Sequence, residues 1–140
     1  MGQQARDMFN LSFPSATAAI TQFRGVDFSG VPIAVAGAKC AGIAKRSAAI
    51  GQPFEAVTLG TAICEAGAAI TVGQPLAMDA TGRVVPATAL QIAAGATAVT
   101  SAAANGATDL TGGIPPQWVV GDALEAAAAA GAFIEVLLSR

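Results

Sequence analysis

The chain has 140 residues, of which 11% are charged, a net charge of −2, and neither His nor Tyr. That length fits one domain, and a compact domain of this size buries roughly 68–70% of its unfolded surface without covalent staples. Its seven Lys and Arg, with Lys45-Arg46 the only adjacent pair, cannot neutralise a run of phosphates, which excludes a nucleic-acid binder, and the missing His removes the commonest general base and metal ligand.

Residues 1–30 read as an extended N-terminal arm. They carry Phe9, Phe13, Phe23 and Phe28 of the six phenylalanines, with no period of two and no long amphipathic helix. Ser15 is placed to cap a short helix through Phe23 that Gly25 would end, though so short a segment is marginal alone in water. The four phenylalanines are expected to anchor the arm, because a ring buries a large area at low entropic cost. They seat in a neighbouring subunit or on another protein; the alternative is an arm folded back over its own barrel. No basic segment precedes an apolar run here, so no secretory signal is expected, and Met1-Gly2 lacks the Ser or Thr of a myristoylation site because Arg6 stands there.

From Val31 the pattern is strand-like, with segments Val31 to Ala36, Cys40 to Ser47 and Phe54 to Glu65 separated by Gly37-Ala38 and by Ala48 to Pro53. Short strands between Gly-rich turns predict a sandwich or barrel. Gly60 interrupts the third segment and marks a bulge or bend. Pro75 to Met78 and Arg83 to Val85 then flank Asp79-Ala80-Thr81-Gly82, a type I turn in which Asp bonds its own backbone two residues on and Gly takes a left-handed conformation. The pattern Gly-x-[Pro/Ala]-apolar begins at Gly51, Gly73 and Gly121, which suggests one turn type used three times in an antiparallel barrel.

Residues 87–113 form an Ala/Gly-rich insertion, read either as a loop or as a helix from Thr88 to Ala104. Its large apolar residues are too scattered for a membrane span. Trp118 reads as a core plug. Asp122 to Ala128 is taken as a strand that turns through the Ala/Gly stretch into a final strand over Phe133 to Leu138, although Asp122 to Ala130 also has helix signals. The domain reading is thus an arm over 1–30 and a barrel over 31–140: an all-β, small antiparallel β-barrel or sandwich of SH3-like or β-tulip type.

The chemistry is sparse. Cys40 and Cys64 fit no zinc spacing and read as buried hydrophobes in a reducing cytoplasm. The carboxylates sit on turns and strand faces, with no calcium-loop spacing and no phosphate loop. No catalytic, cofactor or metal site is expected, and the chain is not read as an enzyme.

The run Gly42-Ile43-Ala44, Gly51-Gln52-Pro53, Glu55 to Gly60, Ala68 to Leu76, Asp79 to Val84, Gly121 to Ala127 and Ile134 to Leu138 resembles the capsid decoration or cement proteins of phage heads, of the DUF2190 type. The resemblance covers Val31 to Leu138 with a gap. It implies a structural virion protein that binds the outer surface of an assembled capsid and stabilises it by bridging subunits of the major capsid protein. It further implies a homo-oligomer, a trimer rather than a dimer, without nucleic-acid or membrane partners, made in the host cytoplasm. The other readings are a subunit of a phage tail or another β-rich assembly and, third, a carbohydrate-binding accessory module, which should display several surface aromatics.

Overall fold

The computed structural model describes residues 5–88, 91–92, 100–101, 110–111, 113–114 and 117–138. Its strands in chain order are β1 (Asp7–Phe13), β2 (Gly25–Val26), β3 (Gly42–Ala44), β4 (Phe54–Glu65), β5 (Pro75–Met78), β6 (Val84–Pro86), β7 (Gln91–Ile92), β8 (Thr100–Ser101), β9 (Leu110–Thr111), β10 (Gly113–Ile114), β11 (Gly121–Ala123) and β12 (Phe133–Leu138). The described residues hold no helix. The chain divides into two compact units, residues 1–87 with 118–140, and residues 88–117.

The first unit is built on β4. It ladders with β3 through Ile43 and Val57, with β1 from Phe54 to Gly60, and with β12 from Gly60 to Glu65. The ladders of β1 and β12 meet at Gly60, whose φ is 104°, and a Cβ there would run into the Arg6 carbonyl oxygen. Beyond β12 the sheet continues through β11 and β5 to β6. It curls back on itself where the Gly25 N–H donates to the Gly82 carbonyl at 2.7 Å and the Gly67 N–H to that of Val84 at 2.8 Å. The result is the small antiparallel barrel that the turn spacing predicts.

Side-chain alternation sets the inside of this barrel. Ala62 and Cys64 of β4 face Val136 and Ile134 of β12, all buried, and Leu76, Met78 and Val84 join them from the β5–β6 hairpin. A second buried cluster gathers Ala16, Ile20, Val26, Ala48, Phe54 and Ala56. Three of its members come from the segment read as an arm, so the arm is part of the barrel. A long strand offers hydrogen-bonding groups along its length, and β1 meets them on β4 without leaving its own chain.

Two kinds of turn recur. Asp79 Oδ1 accepts from the N–H groups of Thr81 at 2.8 Å and Arg83 at 2.9 Å, and Gly82 follows with φ of 76°. Asp27 does the same for Ser29 and Val31 at 2.8 and 2.9 Å, before Gly30 with φ of 75°. The second turn type appears at Ala49–Gln52 and Thr71–Gln74. In each, glycine holds positive φ, 86° at Gly51 and 78° at Gly73, and the Gln side chain accepts the first residue's N–H at 3.0 Å.

Gly121 does not make a third copy. It is a buried strand residue without positive φ, and a Cβ there would collide with the Leu137 carbonyl oxygen of the paired strand. Its glycine answers to backbone proximity, whereas Gly51 and Gly73 answer to conformation. Three further expectations change. Ser15 to Phe23 is not a helix: Ile20 exchanges backbone bonds with Ala48 at 2.8 and 3.1 Å, which takes the amides a helix would need. Of Val31 to Ala36 only Pro32 bridges, to Val26, since the Asp27 turn uses Val31. The strand expected over Asp122 to Ala128 ends at Ala123, and Ala127 bridges Ile70 alone.

In the second unit β7 pairs antiparallel with β10, and β8 with β9. These strands at 91–92 and 100–101 replace the helix alternative for Thr88 to Ala104 there; the rest of that stretch lies outside the described residues.

The glycines separate strain from collision. Gly51→Ala meets nothing within 4 Å and should cost only the left-handed penalty, about 1–2 kcal/mol. Gly121→Ala must displace backbone and should cost more. Gly82→Val adds strain to a position whose Cβ would be 3.0 Å from the Gly25 oxygen, so it too should exceed Gly51→Ala. Urea midpoints test this order; a Gly121→Ala midpoint at or above that of Gly51→Ala would refute the collision.

Candidate interaction surface

The groups that carry chemistry elsewhere are engaged structurally here. Cys40 and Cys64 are both buried and not joined in a disulfide, and burial, with Cys40 nearby, pushes the Cys64 thiol up, away from the thiolate that reactivity needs. Cys40 Sγ donates to the Gly42 carbonyl at 3.1 Å. Among the described residues no three His, Cys, Asp or Glu side chains gather as a metal site, and no helix is long and apolar enough to cross a membrane.

Three carboxylates serve as clasps. Arg24 pairs with Glu65 through two contacts of 2.8 and 3.1 Å, and Glu65 raises the Arg24 pKa. Arg83 Nε donates to Asp79 Oδ2 at 2.9 Å. Burial pushes the Asp79 carboxyl up, but hydrogen bonds from Arg83 and Thr81 outweigh it and leave the pKa lowered. Lys45 Nζ reaches Asp7 Oδ2 at 2.7 Å and ties the start of β1 to the residue after β3. That contact, with a bond from Asn10, holds the Asp7 carboxyl at about 2 against an ordinary 3.8.

The four phenylalanines of the N-terminal segment go to different places. Phe13 stacks on Phe54 with ring centroids 4.8 Å apart, and Phe23 meets Phe133 edge-on at 5.4 Å. Both contacts lie within the chain, which corrects the picture of an arm anchored by these rings elsewhere. Phe9, opposite Leu59 across the ladder, is 58% exposed, and Phe28 is 56% exposed. Trp118 is not a core plug: it is 58% exposed. Its N–H donates to the Gly37 carbonyl at 3.2 Å, and its ring stands over the Lys39 ammonium. Proline-flanked Gln117-Trp118 gave no periodicity from which its direction could be read.

The outer face of the sheet is apolar and acidic by turns. Phe133, Glu135 and Leu137 of β12 lie opposite Glu65, Ile63 and Thr61 of β4, and Asp122 of β11 lies opposite Leu137. Phe133, Leu137 and the adjacent Leu124 are exposed. Of the turn residues singled out from sequence, Gly51 and Gly73 form exposed tips, next to exposed Ile50 and Val72, whereas Gly82 and Gly121 are buried. The Asp27 turn was missed, although Asp-x-Ser-Gly at 27–30 repeats the Asp-x-Thr-Gly spacing at 79–82.

A model of the phage cement protein family matches residues 5–115. Among solved structures, the crystal structure of the head fibre gp8.5 N base of bacteriophage phi29 is similar with a TM-score of 0.61. That likeness covers 94% of this chain and 95% of the other at 18% identity, and it shows a common fold. No curated protein sequence matches the chain.

Two outcomes follow for the N-terminal segment. Phe13→Ala should destabilise by about 1–3 kcal/mol, below a full core truncation because the ring is half-buried, while Phe9→Ala should stay within about 0.5 kcal/mol. Chemical denaturation of both checks this, and equal losses would mean the stack on Phe54 carries nothing. A depressed Asp7 pKa adds stability above the ordinary 3.8 that is lost as pH falls toward about 2. The stability gap between the native chain and Asp7→Asn should therefore be open at pH 7 and close between pH 4 and pH 2. A gap that does not change with pH would rule out the clasp.

Proposed function

This chain belongs to the phage cement protein family, and we propose that it binds the outer surface of an assembled phage capsid and stabilises the shell by bridging subunits of the major capsid protein. The family match over residues 5–115 carries this reading. It is a structural protein of the virion. The head fibre base with which it shares its fold supports the head, rather than the tail, as its place.

The surface suits such a role. Exposed apolar residues on the sheet face and at the Ile50 and Val72 turn tips offer modest contacts that a symmetric lattice multiplies, because each extra engaged copy or contact is effectively intramolecular. We assign no catalysis: Glu65, Asp7 and Asp79 are engaged by Arg24, Lys45 and Arg83, and the thiols are packed away. The protein is made in the host cytoplasm, and a homo-oligomer, a trimer rather than a dimer, would match its contacts to a symmetric site.

Co-sedimentation of the purified chain with undecorated capsids, assembled from the major capsid protein of the same phage, tests the reading. Saturable binding, together with a raised capsid melting temperature, is expected. A chain that stays in the supernatant at every concentration, or binds without raising that temperature, would defeat it.

A further inference from the structure

Among the described residues Lys39 has no carboxylate partner. Among the described residues the ion pairs use Arg24, Lys45 and Arg83. The Lys39 Nζ lies instead 5.0 Å from the Trp118 ring centroid and 5.5 Å from that of Phe28. Both rings are more than half exposed, so little of their area goes into the core, and they flank the ammonium as a cation–π pair. Beside Lys39 and Trp118 opens a cavity of about 290 Å³ whose walls include Cys40, Val120 and Leu138.

The backbone next to this cavity is half used. The N–H groups of Trp118 and Val120 donate inward, to Gly37 and Leu76 at 3.2 and 2.8 Å. In an extended chain the intervening amide points the other way, and the Val119 N–H has no partner among the described residues. Val119 itself is exposed.

An unused edge amide, an unpaired cation and an apolar hole together fit one kind of occupant, an extended polypeptide with a carboxylate beside an apolar side chain. We infer that this pocket receives an acidic, extended segment of the capsid protein. Its carboxylate meets Lys39 between the two rings, the neighbouring apolar side chain enters the cavity, and its main chain pairs with Val119. The inference rests on the capsid-binding reading and gives that contact its chemistry. The outer face of β12 and β4 carries Glu65 and Glu135, which do not favour an acidic segment there.

The test compares native protein, Lys39→Glu, Lys39→Met, Trp118→Ala and, as a control in the turn that precedes β12, at the opposite end of that strand from Leu138, Ala129→Ser, in capsid co-sedimentation over a range of salt. Thermal melts establish that each is folded; all the altered side chains are largely exposed. Lys39→Glu and Trp118→Ala should weaken binding about tenfold or more, and Lys39→Met should flatten its salt dependence, with Ala129→Ser unchanged. If the native chain binds and the Lys39 and Trp118 variants bind equally well, the pocket is not the contact, while the capsid reading stands. If the native chain does not bind, both fall. Trp118 is the only tryptophan, so its emission reports the pocket directly. Quenching by polygalacturonate in the native chain but not in Lys39→Glu, with capsid binding unaffected by that variant, would give the pocket to an acidic glycan and overturn the proposal.

Discussion

A twelve-residue strand cannot stand with empty edges, and the architecture of the first unit follows from how β4 fills them. At about 3.3 Å per residue it spans roughly 40 Å, longer than any of its partners. Its ladder is therefore divided: β3 takes Ala56 and Val57, β1 takes the first half and β12 the second. Gly60 makes the division possible, since its positive φ and missing Cβ let Arg6 approach where β1 gives way to β12. The N-terminal segment is thereby drawn into the barrel. Phe13 then covers Phe54, and Ala16 and Ile20 close the same cluster, which a detached arm would leave open to water.

Within that frame the chain uses one device twice. The Gly51 N–H donates to Ala16 and the Gly73 N–H to Ala123; Ala16 returns a bond to Gln52, and Ala123 to Gln74. Ile20 with Ala48 matches Ala127 with Ile70. The correspondence continues where the Phe23 N–H donates to Ala44 and the Gly131 N–H to Ala66, while Ala44 and Ala66 return bonds to Arg24 and Ala132. Both Phe23 and Gly131 are left-handed, with φ of 65° and 88°. A phenylalanine at such a position is strained, and its edge contact with Phe133 is the compensation that Gly131 does not need.

These pairings also explain what could be read from sequence. Asp79, Gly82, Gly51 and Gly73 were legible because a turn's chemistry is local: a short side chain, a hydrogen bond two residues on, a glycine at the left-handed position. The same rule reaches Asp27 once Asp-x-Ser-Gly is set beside Asp-x-Thr-Gly. Gly121 misled because its motif matches Gly51 and Gly73 letter for letter at the first position, while its constraint comes from Leu137 on another strand. The arm misled for a related reason. Its residues lack alternation, since Ala16, Ile20 and Val26 enter the core through single bridges and turns, and only the fold shows what they bridge to. The final strand was clear from its β-branched and large apolar residues, but the end of β11 at Ala123, with one last bond from the Leu124 N–H to the Glu135 carbonyl, had no signal in the sequence.

The same economy shapes the surface. Much of the barrel interior is lined by Ala, Cys and Gly, such as Ala44, Ala56, Ala62, Ala66, Cys64 and Gly42, all buried. Small inward residues bring strands and loops close, as at Gly42, where a Cβ would approach the Val57 oxygen to 2.6 Å. A core so lined has room for few large side chains, and only Phe54 among the six phenylalanines is fully buried. The remaining large apolar groups are displaced outward to the sheet face, the turn tips and the Trp118 ledge. In a solitary protein scattered surface apolars need no explanation. If this cement-family chain binds a capsid as proposed, they are the available adhesive area, and Lys39, held between two exposed rings, is a point on it where electrostatics would help choose the partner.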